Sequence, residues 1–192
     1  MPTTTKMGIV YPASTDLVKD GATAMGTIST TVDAKTGLVL LNTTSFSAVA
    51  SQSISDVFSA NFENYRIVLT GSISTNAEIR IRYRVSGADN STANYNFQRL
   101  SGSATTVSAA RTTGATSQDF CIWDANLSSA QLEIFRPFLT EATGSYAIGA
   151  ADGVTTQNFA GRFTGATSFT GLTIIASAGT ITGKASVYGY NL

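Results

Sequence analysis

Few side chains in this sequence could do chemistry, and most of those are carboxylates. Asp89, Asp119, Asp124, Glu133, Glu141 and Asp152 are the acidic residues from the middle of the chain onward. Glycoside hydrolysis needs only two carboxyl groups at a suitable separation. No spacing among these six selects a pair, and their ordinary reading is as turn residues and solvated strand positions. The chain has no histidine, which removes the commonest acid–base residue near neutral pH. Ser-His and Cys-His nucleophile pairs and imidazole metal sites go with it. Cys121, the single cysteine, stands in DFCIW beside Phe120 and Ile122. It reads as a buried structural thiol and can form no intrachain disulfide. No catalytic residue is assigned, and the chain is expected not to be an enzyme.

Binding chemistry has more material. In GADNSTANYN, Asp89, Asn90, Asn94 and Asn96 offer oxygen ligands of the kind calcium takes in flexible loops. The same residues are common turn formers and lack EF-hand spacing, so no metal and no cofactor is expected. Arg80, Arg82 and Arg84 repeat every second residue and could meet an anionic sugar or phosphate, with Arg99, Arg136 and Arg162 adding to them. Solvent exposure on one strand, or pairing with carboxylates across a subunit seam, is the simpler reading. Trp123, Tyr95, Tyr146, Phe159, Tyr188 and Tyr190 could stack on sugar rings, although most aromatics of a β-sandwich are core. Tyr188, Tyr190 and Trp123 are singled out as surface or ligand contacts.

The elements that must carry these residues are mainly β. Of 192 residues, 29 are Thr and 22 are Ser, with 17 Gly and only 3 Pro. That is the profile of strands joined by tight polar turns. Twelve basic residues balance twelve acidic ones, which argues against nucleic-acid binding and against a polybasic membrane patch. The hydrophobic share of 43% excludes a disordered chain. No run is long enough to cross a membrane, and from the start, MPTTTKMGIVYPAS, no classical secretion signal is expected.

Residues 1–37 differ from the rest. Residues 1–13 read as extended, and 14–37 as a weak helix with Val18, Met25 and Val32 spaced by seven and Ile28 beside that stripe. Such a helix cannot stand alone in water and needs copies of itself or a docking surface. Residues 38–192 form the second domain, an antiparallel β-sandwich of jelly-roll type. Its clearest strand is EIRIRYRVSG, with Ile79, Ile81, Tyr83 and Val85 on one face and the arginines on the other. Further strands are expected near 94–100, 118–124, 131–138, 145–151, 156–164, 169–177 and 181–190. Residues 101–118 read as a long surface loop, and 42–62 as a strand, a turn and a short helical step.

The segment GIVYPASTDLVKDGATAMGTISTTVD resembles the N-terminal run of many tailed-bacteriophage virion proteins, the tail-fibre, minor-tail and head-fibre types. Tyr11, Pro12, Ser14, Thr15, Asp16, Val18, Asp20, Gly21, Ala22, Ala24 and Met25 carry the likeness. FSANFENYRIVLTGS, IRYRVSGADNSTANYNFQ and GKASVYGYNL are similar to the β-domains behind such arms. The resemblance implies a virion structural protein, assembled in the bacterial cytoplasm, whose attachment arm (Tyr11, Pro12, Asp16, Val18, Met25, Ile28, Val32) binds other virion proteins of the tail, neck or capsid. It implies a homotrimeric short fibre, and fold-level analogy adds a host-surface glycan as the expected contact of its sandwich. A capsid decoration protein is the alternative, and a glycan depolymerase is the less favoured third reading.

Overall fold

The computed structural model describes residues 21–35, 37–151 and 155–191, with the side chains of 31 and 33–35 left aside. Two compact units divide the chain, Met1–Val39 with Asn191–Leu192, and Leu40–Tyr190. The described part of the first unit is chiefly α1, Gly21–Lys35. Threonine is a poor helix former, but here Thr27 and Thr30 donate their hydroxyls to the carbonyls of Thr23 and Gly26 one turn back, at 3.0 and 3.1 Å. Residues 14–20 of the expected helix lie outside the described residues.

The second unit is the expected antiparallel β-sandwich. Its strands are β1 (Leu38–Val49, which begins just before the unit), β2 (Ser51–Ile54), β3 (Asn64–Ile73), β4 (Ala77–Val85), β5 (Ala88–Asp89), β6 (Tyr95–Ser103) and β7 (Thr106–Ala115). They continue with β8 (Gln118–Trp123), β9 (Ser128–Phe135), β10 (Thr143–Ala151), β11 (Thr155–Phe163), β12 (Gly171–Ala176) and β13 (Ile181–Tyr190). One sheet has eight strands in the order β1-β13-β3-β9-β10-β11-β6-β7. The other runs β2-β12-β4-β5, and β8 also pairs with β4. The chain passes repeatedly between the sheets, as in jelly rolls.

Alternation explains most of these strands. Tyr65, Ile67 and Leu69 of β3 and Ile79, Ile81 and Tyr83 of β4 are buried, and the residues between them are not. With Leu132, Ile134, Phe159, Leu172, Ile174 and Val187 they make one core between the sheets. An aromatic cluster closes one end. Phe163 meets Tyr95 edge-on at 4.9 Å and Phe169 at 5.0 Å, and Tyr83 stacks on Phe169 at 4.8 Å. The Tyr95 hydroxyl donates to Asn90 O (2.8 Å) and accepts from the Tyr83 amide (3.0 Å), so a buried phenol fastens the loop to β4. At the β4–β5 hairpin Ser86 and Gly87 both have positive φ, the backbone of a two-residue primed turn.

Two expectations need correction. Residues 101–118 are not a loop, because β6 and β7 form a hairpin paired from Ser103↔Thr106 to Tyr95↔Ala115, with a register shift between Tyr95 and Phe97. Almost every residue of β7 is exposed on either face, so the strand is held by main-chain pairing and leaves no apolar alternation to read. Residues 42–62 hold no helical step. β1 runs to Val49, β2 follows, and 55–63 is irregular.

The buried phenols have a pH consequence. Burial raises the pKa of Tyr83 and of Tyr95, and burial likewise raises that of Tyr65 against the bonds to Ser59 that lower it. Unfolded tyrosine titrates near ~10, so above that pH the native state holds protons the unfolded chain has lost. The stability from these phenols is complete below about pH 10 and falls as pH rises beyond it. In an alkaline titration, phenolate absorbance from these three should appear together with loss of near-ultraviolet circular dichroism. Their ionisation in a still-folded protein would contradict this.

Candidate functional site

The sandwich places the candidate residues unequally. Tyr11, Pro12, Asp16 and Val18 lie outside the described residues. Met25 is 71% exposed, and Ile28 and Val32 are half-buried. Trp123 is corrected as a surface contact, because it is 0% exposed in the core at the end of β8. Tyr95 and Phe159 are buried too. Tyr188 and Tyr190 are half-buried.

The arginine row is occupied from within. Arg80 binds Asp119 (2.8 Å) and lies 3.7 Å from Glu78. Arg82 donates to Thr116 O, and Arg84 binds Asp89, Thr173, Ser53 and the Gly87 carbonyl. Burial, the largest influence, raises the pKa of Asp119 against the lowering by Arg80, and Glu78 raises it further. These pairs tie β4 to its neighbours and leave no free cationic row. In GADNSTANYN, Asp89 serves Arg84 and Thr173, Asn90 caps Thr92, and Asn96 accepts the Gly114 amide. Those oxygens act as turn and sheet ties. Among the described residues no cluster of three or more His, Cys, Asp or Glu has metal-binding geometry. Cys121 is buried, and burial pushes its thiol pKa well up.

The feature that sequence reading missed is the outer face of the eight-stranded sheet. β10 reads TGSYAIGAA, and its small residues face inward. Thr143, Ser145, Ala147, Gly149 and Ala151 are buried, whereas Tyr146 is 40% and Ile148 47% exposed. The cause is β8, which crosses close beneath β10 and β11. A Cβ on Gly149 would lie 2.9 Å from Cys121 Cβ, and one on Gly161 would fall within the Gln118 carboxamide. Gln118 exchanges hydrogen bonds with Ser145 (2.7 and 3.0 Å). Gln157 clamps the free edge of β8, accepting from the Ile122 amide at 2.5 Å and donating to its carbonyl at 3.1 Å. Gly149 and Gly161 have no room for a side chain there, and on β10 the large apolar residues point out.

Register then assembles the face. One row crosses the sheet as Tyr188, Arg66, Glu133, Tyr146, Ala160, Gln98 and Arg111. The next reads Ser186, Val68, Gln131, Ile148, Asn158 and Leu100. On the other side of Tyr146 lie Asn64, Phe135, Gly144, Arg162 and Asn96. Tyr146 donates to Asn158 at 2.7 Å, which holds its ring on the sheet. Glu133 accepts from Arg66 (2.6 Å), Tyr190 (2.7 Å) and Gln131 (3.0 Å), and the Arg66 guanidinium sits 5.6 Å over the Tyr190 ring. A shallow cavity opens beside Ile148, lined by Val68, Ser129, Gln131 and Ala150. Aromatic and aliphatic surface interleaved with planar amide, carboxylate and guanidinium groups can stack on a sugar ring and bond its hydroxyls.

No protein-family model matches the chain, and no curated protein sequence matches it. Similar solved structures include the galectin LEC-6 of Caenorhabditis elegans, at 12% identity over 79% of this chain and 95% of that one, TM-score 0.32. A protein of unknown function from Shewanella oneidensis MR-1 is similar at 10% identity over 80% of this chain and 75% of that one, TM-score 0.31. Basic winged bean lectin, solved with Tn-antigen, is similar at 7% identity over 80% and 87%, TM-score 0.28.

The inverted strand gives a direct test by urea unfolding. Gly149→Val must displace β8 and should cost more than ~2 kcal/mol. Ile148→Ser, one residue away and larger in its change of polarity, should stay within about 0.5 kcal/mol. Equal losses would mean that β10 is not inverted.

Proposed function

We propose that this chain is a non-enzymatic binding module that presents the outer face of its eight-stranded sheet to saccharides on a surface. The observation that carries the reading is Tyr146, exposed on that face, hydrogen-bonded to Asn158 and flanked by Ile148 and Phe135. Exposed aromatic rings among fixed polar groups suit sugars, whose C–H faces stack and whose hydroxyls need bidentate partners. The lack of histidine, and the engagement of Glu133, Asp119 and Asp89 by arginines, support binding rather than turnover. Tyr146→Ala should weaken binding to the saccharides that the intact chain retains on a glycan array by tenfold or more, with an unchanged melting temperature. Unchanged retention would remove the reading.

The proposal extends to the particle. The likeness of residues 8–33 to phage virion arms supports a short fibre or neck appendage in which residues 1–37 attach to other virion proteins and join three copies. Met25 supports the seam, since it is exposed on a helix too weak to persist alone. Light scattering on the full chain should give three times the chain mass of 20.0 kDa, and removal of residues 1–37 should give the monomer. A monomeric full chain at micromolar concentration would contradict the seam.

A further inference from the structure

Although the whole chain has no net charge, the outer face of the eight-stranded sheet is positive. Its described residues include four cations, Arg66, Arg111, Arg162 and Lys184, against one carboxylate, Glu133. Glu133 is already neutralised by Arg66. Among the described residues, Arg111, Arg162 and Lys184 have no acidic side chain within ion-pairing distance. Glu78, Asp89 and Asp119 belong to the other sheet and bind its own arginines.

One of these cations stands beside the aromatic platform. Tyr146 pairs with Ala160 and Gly144 pairs with Arg162, so Arg162 is the diagonal neighbour of Tyr146 on the adjacent strand. Diagonal positions of this kind lie about 7–8 Å apart, which is within one monosaccharide. Across the sheet from Arg162, Gly144 has no side chain, and the position beyond it is the half-exposed Phe135. A Cβ at Gly144 would touch only the Phe135 side chain, at 3.7 Å or more, so the recess is open above the backbone. Gly144 and Ala160 thus leave a shallow recess between Phe135 and Arg162, with Tyr146 at its border and the Tyr146 ring leaning towards Asn158 on the opposite diagonal.

We infer that this recess takes a carboxylated sugar, with the pyranose ring against Tyr146 and its carboxylate on the Arg162 guanidinium. Arg111 and Lys184 add long-range attraction for an acidic polymer lying across the sheet. The inference rests on the saccharide reading above and deepens it by naming the sugar class. Planar bidentate pairing is what guanidinium offers a carboxylate. The exposed aromatic rings of Tyr146 and Phe135 separate this from attraction for any polyanion.

The test is binding of the full chain to three carboxylated polysaccharides, polygalacturonate, alginate and polysialic acid, beside neutral dextran and a single-stranded DNA oligomer. At least one carboxylated polymer should bind more tightly than dextran and DNA, and rising salt should weaken it. Arg162→Gln should weaken that binding about tenfold and any neutral-sugar binding less, with the melting temperature unchanged. Equal binding of neutral and acidic sugars, or indifference to Arg162→Gln, overturns this inference and leaves the saccharide reading standing. DNA bound as tightly as the acidic polymers reduces the face to a general polyanion surface and overturns it as well. No binding to any carboxylated polymer overturns it, and loss of all saccharide binding takes the underlying reading with it.

Discussion

β8 lies so close to β10 and β11 that Gly149 and Gly161 have no room for a side chain. Gly149 faces Cys121, Gly161 faces Gln118, and Ser145 is used as a hydrogen-bond partner rather than as bulk. The strand is held there by polar contacts. The Gln157 carboxamide takes the place of a neighbouring backbone and satisfies both main-chain groups of Ile122. Buried amides left without these bonds would cost far more than the bonds contribute, so the contact specifies one alignment of the two sheets. Elsewhere the core is ordinary, with Ile, Leu and aromatic side chains interdigitating between the layers.

This constraint reaches the surface. With glycine, alanine and serine turned inward, β10 has to send Tyr146 and Ile148 outward. The neighbours of Tyr146 are then fixed by antiparallel register, with Ala160 on one side and Glu133 on the other. The polar groups around it are immobilised by one another, since Glu133 alone accepts from Arg66, Gln131 and Tyr190. A rigid face of this kind pays little ordering entropy on binding, which suits ligands as weakly apolar as sugars. The second sheet uses its charges differently. Arg80 and Arg84 are joined to Asp119 and Asp89 across strands and serve the fold.

What could be read in the sequence follows from how each strand is buried. β4 was plain because Ile79, Ile81 and Tyr83 alternate with three arginines, and the strands from β8 to β13 were placed within a few residues for similar reasons. β7 was invisible because neither of its faces is covered, so TVSAARTTGA has no pattern to betray it. Tyr146 stood among six aromatic candidates, yet nothing in SYAIGA says which side meets the core. That depends on the approach of β8, a contact between residues some thirty positions apart. Trp123 failed as a surface residue for the opposite reason, since size and polarity suit it to either place. The charge of the outer face was equally hidden, because Arg66, Arg111, Arg162 and Lys184 come from four strands that only the topology brings together.

The most direct test of the central claim maps the ligand onto the sheet. Backbone amide resonances of the isotope-labelled full chain would be followed during titration with an oligogalacturonate. The shifts should gather on Phe135, Gly144, Tyr146, Asn158, Ala160 and Arg162, and fade towards β12 and β4. Shifts centred on the second sheet, or spread evenly over the chain, would show that this face is not where saccharides bind.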